Sequence, residues 1–302
     1  MNTAYFEKQV SLLLDVLEML GKYPSFALKG GTAINFFYTN LPRLSVDIDL
    51  SYISIDSRSN FLRANENFFQ SIIGDLKEMG YVGQIQRTQQ GLPKQLNIMG
   101  KEANIKIDVN LILRGTVYEP TMLMTCEKIR SKYGKRVYCQ VLSKEEVFAG
   151  KFCAALDRQH PRDLFDVKIF LETNQITEMQ KKAFLVYLLS SNRPISEMIN
   201  PNRLDQRCIF EKEFEGMTDE QVQYLELEKA REDLIATIDQ SLTEADREFL
   251  LSFKRMEPTW DHLNMAHVKD MPAIKWKLYN LKQMDSKKHK LAYEELKRKL
   301  DL

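Results

Sequence analysis

The segment Leu44-Ser45-Val46-Asp47-Ile48-Asp49-Leu50 decides how this chain is read. Side chains alternate across a strand, so Ser45, Asp47 and Asp49 share one face while Leu44, Val46, Ile48 and Leu50 share the other. The apolar face calls for a core. The opposite face carries two like charges that repel each other, which suits either a solvent-facing sheet surface or a bound cation. Mg²⁺ favours such a site, one or two carboxylates completed by substrate phosphate oxygens. Upstream stands Lys29-Gly30-Gly31-Thr32, separated from the acids by a short helical stretch. A glycine pair fits any tight turn, but ahead of a helix it also lets backbone N–H groups approach a phosphate.

Working outward, Phe26-Ala27-Leu28 reads as a short buried strand, and helices are expected over 4–20, 33–38 and 59–79. The strand at 44–52 is followed by two more around 81–88 and 94–99, joined through Gly91 and Pro93. Residues 103–113 alternate most cleanly: Lys106, Asp108 and Asn110 on one face, Ile105, Ile107, Val109 and Leu111 on the other. A strand at 137–142 runs into Ser143-Lys144-Glu145-Glu146, a capping-box signature. Beyond it the pattern is helical, with further starts at Thr218-x-x-Gln221 and Thr243-x-x-Asp246 and a loop at Pro194 and Asn200-Pro201-Asn202. The expectation is an α+β fold. Residues 1–142 form a nucleotidyltransferase α/β domain with a mixed sheet, and residues 143–302 form a helical domain that completes the active-site cleft.

Two groups of residues carry chemistry. In the first, Asp47, Asp49 and Asp108 would bind metal and act in catalysis, with Gly30, Gly31, Thr32 and Lys106 holding nucleotide phosphates. The bland reading of Lys106-x-Asp108 is a half-exposed strand with a salt bridge. The second group is Lys151, Asp163 and Asp166. Lys151 either snorkels from an apolar helix face or sends its charge to a triphosphate. Pro161 suits a first helical position, so Asp163 is either a macrodipole partner, with Asp166 an ion-pair partner for Arg162, or both orient Lys151 or touch the nucleotide.

The chain has 302 residues, 44% hydrophobic and 28% charged, a globular composition. No apolar run approaches the ~20 residues that span a bilayer. The N-terminus lacks signal-peptide features. Cys126, Cys139, Cys153 and Cys208 form no CxxC pair and read as buried thiols of a cytoplasmic protein. Net charge is +1 but unevenly spread: residues 120–162 hold nine Lys/Arg against four acids, residues 211–248 four against thirteen, and residues 271–302 nine against four. Such blocks are either solvated helix faces or a basic surface for a polyanion. In the polyanion reading, Lys128, Arg130, Lys132, Lys135 and Arg136 contact acceptor phosphates. The four histidines show no HxxxH or HExxH pattern, and Trp260 and Trp276 read as helical core.

Leu28-Lys29-Gly30-Gly31-Thr32-Ala33 followed by Leu41-Pro42-Arg43-Leu44-Ser45-Val46-Asp47-Ile48-Asp49-Leu50 resembles the abortive-infection AbiEii/AbiGii toxin family. These are stand-alone nucleotidyltransferases of the DNA polymerase β superfamily. Lys106-Ile107-Asp108 and Lys151…Arg162-Asp163-Leu164-Phe165-Asp166 look like the later motifs, and Met271 to Leu281 is similar to the tail of one branch. One departure is Val46, where many relatives carry another acid. The resemblance implies a polymerase β-like domain and the toxin of a type IV toxin–antitoxin system. The implied substrate is an NTP with Mg²⁺ or Mn²⁺, the acceptor an RNA, foremost the tRNA 3′ end, and the partner a winged-helix antitoxin. The alternatives are transfer to a protein or small molecule, or a non-catalytic NTP-binding regulator.

Overall fold

The computed structural model describes residues 3–301. The fold is α+β. Seven strands form one mixed sheet: β1 (Phe26–Lys29), β2 (Asp47–Tyr52), β3 (Val82–Arg87), β4 (Pro93–Met99), β5 (Asn104–Arg114), β6 (Thr121–Met124) and β7 (Tyr138–Val141), in the order β3-β4-β5-β2-β1-β7-β6. The helices are α1 (Thr3–Leu20), α2 (Gly30–Ala33), α3 (Arg58–Glu78), α4 (Glu127–Tyr133), α5 (Lys144–Arg158), α6 (Pro161–Thr173), α7 (Glu178–Ser190), α8 (Ile195–Ile199), α9 (Arg207–Ile209), α10 (Tyr224–Ser241), α11 (Glu244–Lys254), α12 (Pro272–Lys282) and α13 (Ser286–Lys299). The chain forms two compact units. One holds the chain up to Val147 together with Phe214–Gln221; the other holds Phe148–Glu213 and Val222–Leu302.

In the first unit, β2 pairs antiparallel with β1 and parallel with β5, which makes it a central strand. Its alternation is the expected one: Ile48 and Leu50 are buried, while Asp47 and Asp49 are only half-buried. Ile105, Ile107 and Val109 of β5 are buried in the same period-2 pattern. The apolar stripes of α1 (Val10, Leu13, Leu14, Leu17) and α3 (Phe61, Phe68, Phe69, Ile72, Leu76) are also buried, with α1 against β5 and β7 and α3 against β3 and β4. Burial of such side chains is the main stabilising term, about 1.5–3 kcal/mol each.

Several local expectations change. The strand expected at 44–52 begins only at Asp47, because Arg43 bridges to Thr218 and Leu44 N–H donates to Met217 O. That same bridge removes the helix start expected at Thr218; the next long helix begins at Tyr224 behind a Gln223 capping box. The helix expected over 33–38 starts at Gly30 and continues from Ile34 to Tyr38 in π form. Strand β6 and helix α4 are additional, both short and without a readable period. At Ser143, Glu146 N–H donates to Ser143 Oγ, whereas the Glu146 carboxylate accepts from Val117 and Tyr118 N–H. Of the cysteines, Cys139 and Cys153 are buried, but Cys126 is half-buried and Cys208 exposed. Burial alone pushes the Cys139 thiol up to about 12.

The second unit is helical. Pairs α6/α10, α7/α12, α8/α13 and α11/α13 pack together. Capping boxes at Thr177/Gln180 and Thr243/Asp246 satisfy the first-turn donors of α7 and α11. Pro161 occupies the first position of α6, with His160 capping it. Trp260 meets Phe249 and Phe253 edge-on, as a core residue would. Trp276 does not. It is 57% exposed on α12 and stacked on Tyr279, with ring centroids 5.6 Å apart and planes 18° from parallel.

Candidate active site

In the first unit the sheet register assembles the carboxylates. Asp49 lies beside Asp108 on the parallel neighbour β5, Asp47 lies beside Lys106, and Lys29 of β1 stands opposite Asp49. Asp47 and Asp49 share a face of β2, so three carboxylates gather on two adjacent strands. The Lys106 ammonium sits among them, 3.2 Å from Asp108 Oδ2 and 3.9 Å from Asp47 Oδ1. Burial pushes Lys106 down, but Asp47 and Asp108 outweigh it and hold the ammonium above its ordinary value. Among the described residues no three His, Cys, Asp or Glu side chains form a ready-made metal cage. Lys106 instead supplies the compensating charge.

The glycine turn is built against these acids. Gly30 has φ +72°, the left-handed region, and a Cβ there would overlap the Asp49 carboxylate. At Gly31 a Cβ would lie 2.6 Å from Arg43 Nη2 and 3.2 Å from Ser45 Oγ. Only glycine lets the turn close on Asp49 and on the buried Arg43 guanidinium. Thr32 is buried; its hydroxyl donates to Asp47 O at 2.5 Å and shares a 2.9 Å hydrogen bond with Ser45 Oγ. This hydroxyl therefore ties the turn to β2 beside Asp47. Asn35 adds a second tie, donating to Gly31 O and accepting from Arg43 N–H.

Arg43 and Ser45 were missed as site residues. The signal was present in Pro42-Arg43-Leu44-Ser45, where an arginine and a serine precede the acids. Their contact with the turn depends on the chain folding back. Asp47, Asp49 and Asp108 share one sheet face, a donor set of the chemistry a divalent cation takes, although in this arrangement Lys106 and not a cation compensates them. Gly30→Ala is expected to destabilise the protein by about 1–3 kcal/mol and to displace Asp49. Thermal melting and transfer assays should fall together; wild-type behaviour in both would show that the turn does not constrain Asp49.

The other group lies in the second unit. Lys151 is 5% exposed, and its Nζ donates to Asp163 Oδ1 at 2.7 Å and pairs with Asp166 Oδ2 at 2.9 Å. Arg158 also pairs with Asp163, at 2.5 Å from Nε. Burial pushes the Asp163 carboxyl up, but Lys151 and Arg158 prevail and hold it well below the usual carboxylate range. Lys151 does not snorkel. Both aspartates orient it, and Arg162 reaches Glu213 at 3.7 Å.

Within the basic block of residues 120–162, several cations have partners in the protein. Lys128 pairs with Asp219 at 2.6 Å, Lys132 with Glu7 at 2.5 Å and Lys135 with Asp15, while Arg130 donates to Thr125 O. Three of the five cations named for acceptor phosphates, Lys128, Lys132 and Lys135, therefore carry an acidic partner.

A family model described as the AbiEii nucleotidyl transferase toxin of type IV toxin–antitoxin systems matches residues 11–278. The chain belongs to this family. It is a nucleotidyltransferase toxin, with an NTP as substrate and an antitoxin as partner. A similar solved structure is MenT4, a nucleotidyltransferase toxin from Mycobacterium tuberculosis. The match has a TM-score of 0.60 and 16% identity, covering 93% of this chain and 99% of that one. At that identity the likeness is one of fold. No curated protein matches in sequence. Among the described residues of this AbiEii-family chain, no helix is long and apolar enough to cross a membrane.

Proposed function

We propose that this AbiEii-family enzyme is Mg²⁺-dependent and transfers NMP from an NTP to an RNA acceptor, foremost the tRNA 3′ end. In this reading it works in the cytoplasm and is held in check by a winged-helix antitoxin. The observation that carries the reading is the register that sets Asp49 beside Asp108 with Asp47 on the same face of β2. Those three carboxylates would hold the cation. When bound it supplies positive charge for the attacking hydroxyl and the departing pyrophosphate. Asp108 accepts the hydroxyl proton as the new P–O bond forms and the α–β phosphoanhydride bond breaks. The backbone N–H groups at Gly30 and Gly31 steady the terminal phosphates, and Lys106 offers its ammonium to a phosphate oxygen. Thr32 keeps Asp47 in place throughout.

An RNA acceptor is favoured over a small molecule by the Trp276–Tyr279 stack. It stands exposed in a stretch with nine Lys/Arg against four acids. Stacked aromatics on a basic surface suit unpaired bases, and loss of one such ring costs about 1–3 kcal/mol per base. Trp276→Ala is therefore expected to weaken RNA binding about tenfold while sparing NTP binding. Incubation with each labelled NTP, Mg²⁺ and total RNA tests the activity itself. Labelled tRNA is the expected product. Label on protein or small molecules only would assign another acceptor, and tight NTP binding without transfer would assign a regulator.

A further inference from the structure

The first unit contains a cationic recess that the transfer reaction does not use. It has a volume of about 480 Å³ and lies between the first turn of α3, the β3–β4 hairpin loop and the end of β5. Arg114, the last residue of β5, lines it together with Arg58, the first residue of α3. Arg114 Nε and Nη1 are shielded from water and have no hydrogen-bond acceptor among the described residues. The guanidinium carbon lies over the Phe61 ring, 5.2 Å from its centroid. Arg87 in the adjoining hairpin is different, since its Nη1 and Nη2 donate to the Glu66 carboxylate at 2.9 and 2.7 Å.

A buried donor without an acceptor is a cost that native proteins meet with a partner, a water or an ion. Two guanidiniums facing one recess add mutual repulsion. Burial and the like charge of Arg58 depress Arg114; Asp56 opposes them, although its carboxylate already accepts a 2.6 Å bond from the Tyr52 hydroxyl. Arg58 also puts a cation in the first turn of a 21-residue helix that has no acid there. That is the end where the helix dipole favours an anion. Guanidinium forks match phosphate oxygens bidentately. The rest of the recess includes Leu62, Leu92 and Leu111, an apolar wall of a size suited to a small organic molecule.

We propose that this recess is an anion site for the phosphoryl group of a small phosphate monoester with an apolar body. Arg114 and Arg58 grip the phosphoryl oxygens, and the leucine wall takes the body. The site is distinct from the carboxylates. Arg114 lies six residues beyond Asp108 on the same strand, about 20 Å at the rise of an extended chain.

Phenyl phosphate is the probe, titrated calorimetrically into the full chain with the nucleotide site saturated by a non-hydrolysable NTP and Mg²⁺. One saturable site is expected in the wild type, weakened at least about tenfold by Arg114→Met and similarly by Arg58→Met. Arg114→Lys should fall between, because it keeps the charge and loses the fork. Nucleotidyl transfer should be unchanged in Arg58→Met. Absence of saturable binding in the wild type, or equal affinity in wild type and Arg58→Met, would overturn the proposal. Arg58 is exposed and outside the core, so that variant decides the matter even if Arg114→Met does not fold.

Discussion

Lys151→Met is expected to cost about 3–5 kcal/mol of stability, the penalty for breaking a buried ion pair from one side. The variant would leave Asp163 and Asp166, both at most 2% exposed, facing an apolar side chain where an ammonium stood. Arg158 can compensate Asp163 only in part, because its own side chain is 63% exposed and well solvated. The sign of the pH dependence follows from Asp163. Its folded pKa is depressed, so its stabilising contribution is full above the unfolded value of about 4 and fades as the pH falls toward the folded one. The gap between wild type and variant should therefore be widest near neutral pH and narrow below about pH 4. Urea denaturation across that range reads both effects. A variant within about 1 kcal/mol of wild type at neutral pH would mean that the cluster contributes little cohesion. NTP affinity, taken where the variant remains folded, separates the roles: a loss supports a triphosphate contact for Lys151, and wild-type affinity leaves it a purely cohesive residue.

Asp49→Asn is the second large effect, expected to lower transfer by more than the roughly hundredfold seen for residues that merely support a metal ligand. The amide preserves shape and removes one of the charges proposed to hold the cation. Asp49 neighbours Asp108 across β2 and β5, so neutralising it also relieves repulsion when no cation is bound. The melting temperature without Mg²⁺ should accordingly stay level or rise, while turnover collapses and Mg²⁺ no longer stabilises the fold. Asp47→Asn should behave alike in activity, with a smaller gain in stability because Lys106 already compensates Asp47 at 3.9 Å. Full turnover of either variant with Mg²⁺ present would remove these carboxylates from the metal site.

Much of this architecture is visible in the residue order. Period-2 alternation around Asp47 and Asp49, and again from Ile105 to Leu111, marks two strands with a buried and an open face. The order of glycine turn, acidic strand and second acidic strand carries the family resemblance, and the family match covers the same residues. What the residue order did not announce has physical causes too. The acidic partners of Lys128, Lys132 and Lys135 lie 91, 125 and 120 residues away along the chain, beyond any local pattern. Trp276 looks like core because its helical spacing is apolar, yet what it stacks on is another exposed ring. Thr218 carries a capping signature, but its backbone is used to bridge Arg43.

By itself, then, the sequence determined which faces of β2 and β5 are acidic, where the glycines must bend the chain, and which family these motifs belong to. These follow from backbone geometry within a few residues, which every local stretch carries with it. The tertiary structure decided which residues became neighbours: Asp49 with Asp108, Lys106 between two acids, Thr32 tied to Asp47, Lys151 locked by two aspartates, and Arg114 Nε and Nη1 without an acceptor among the described residues. Alternation tells which face a side chain takes but leaves open the strand beside it, because register is set by packing across the whole sheet.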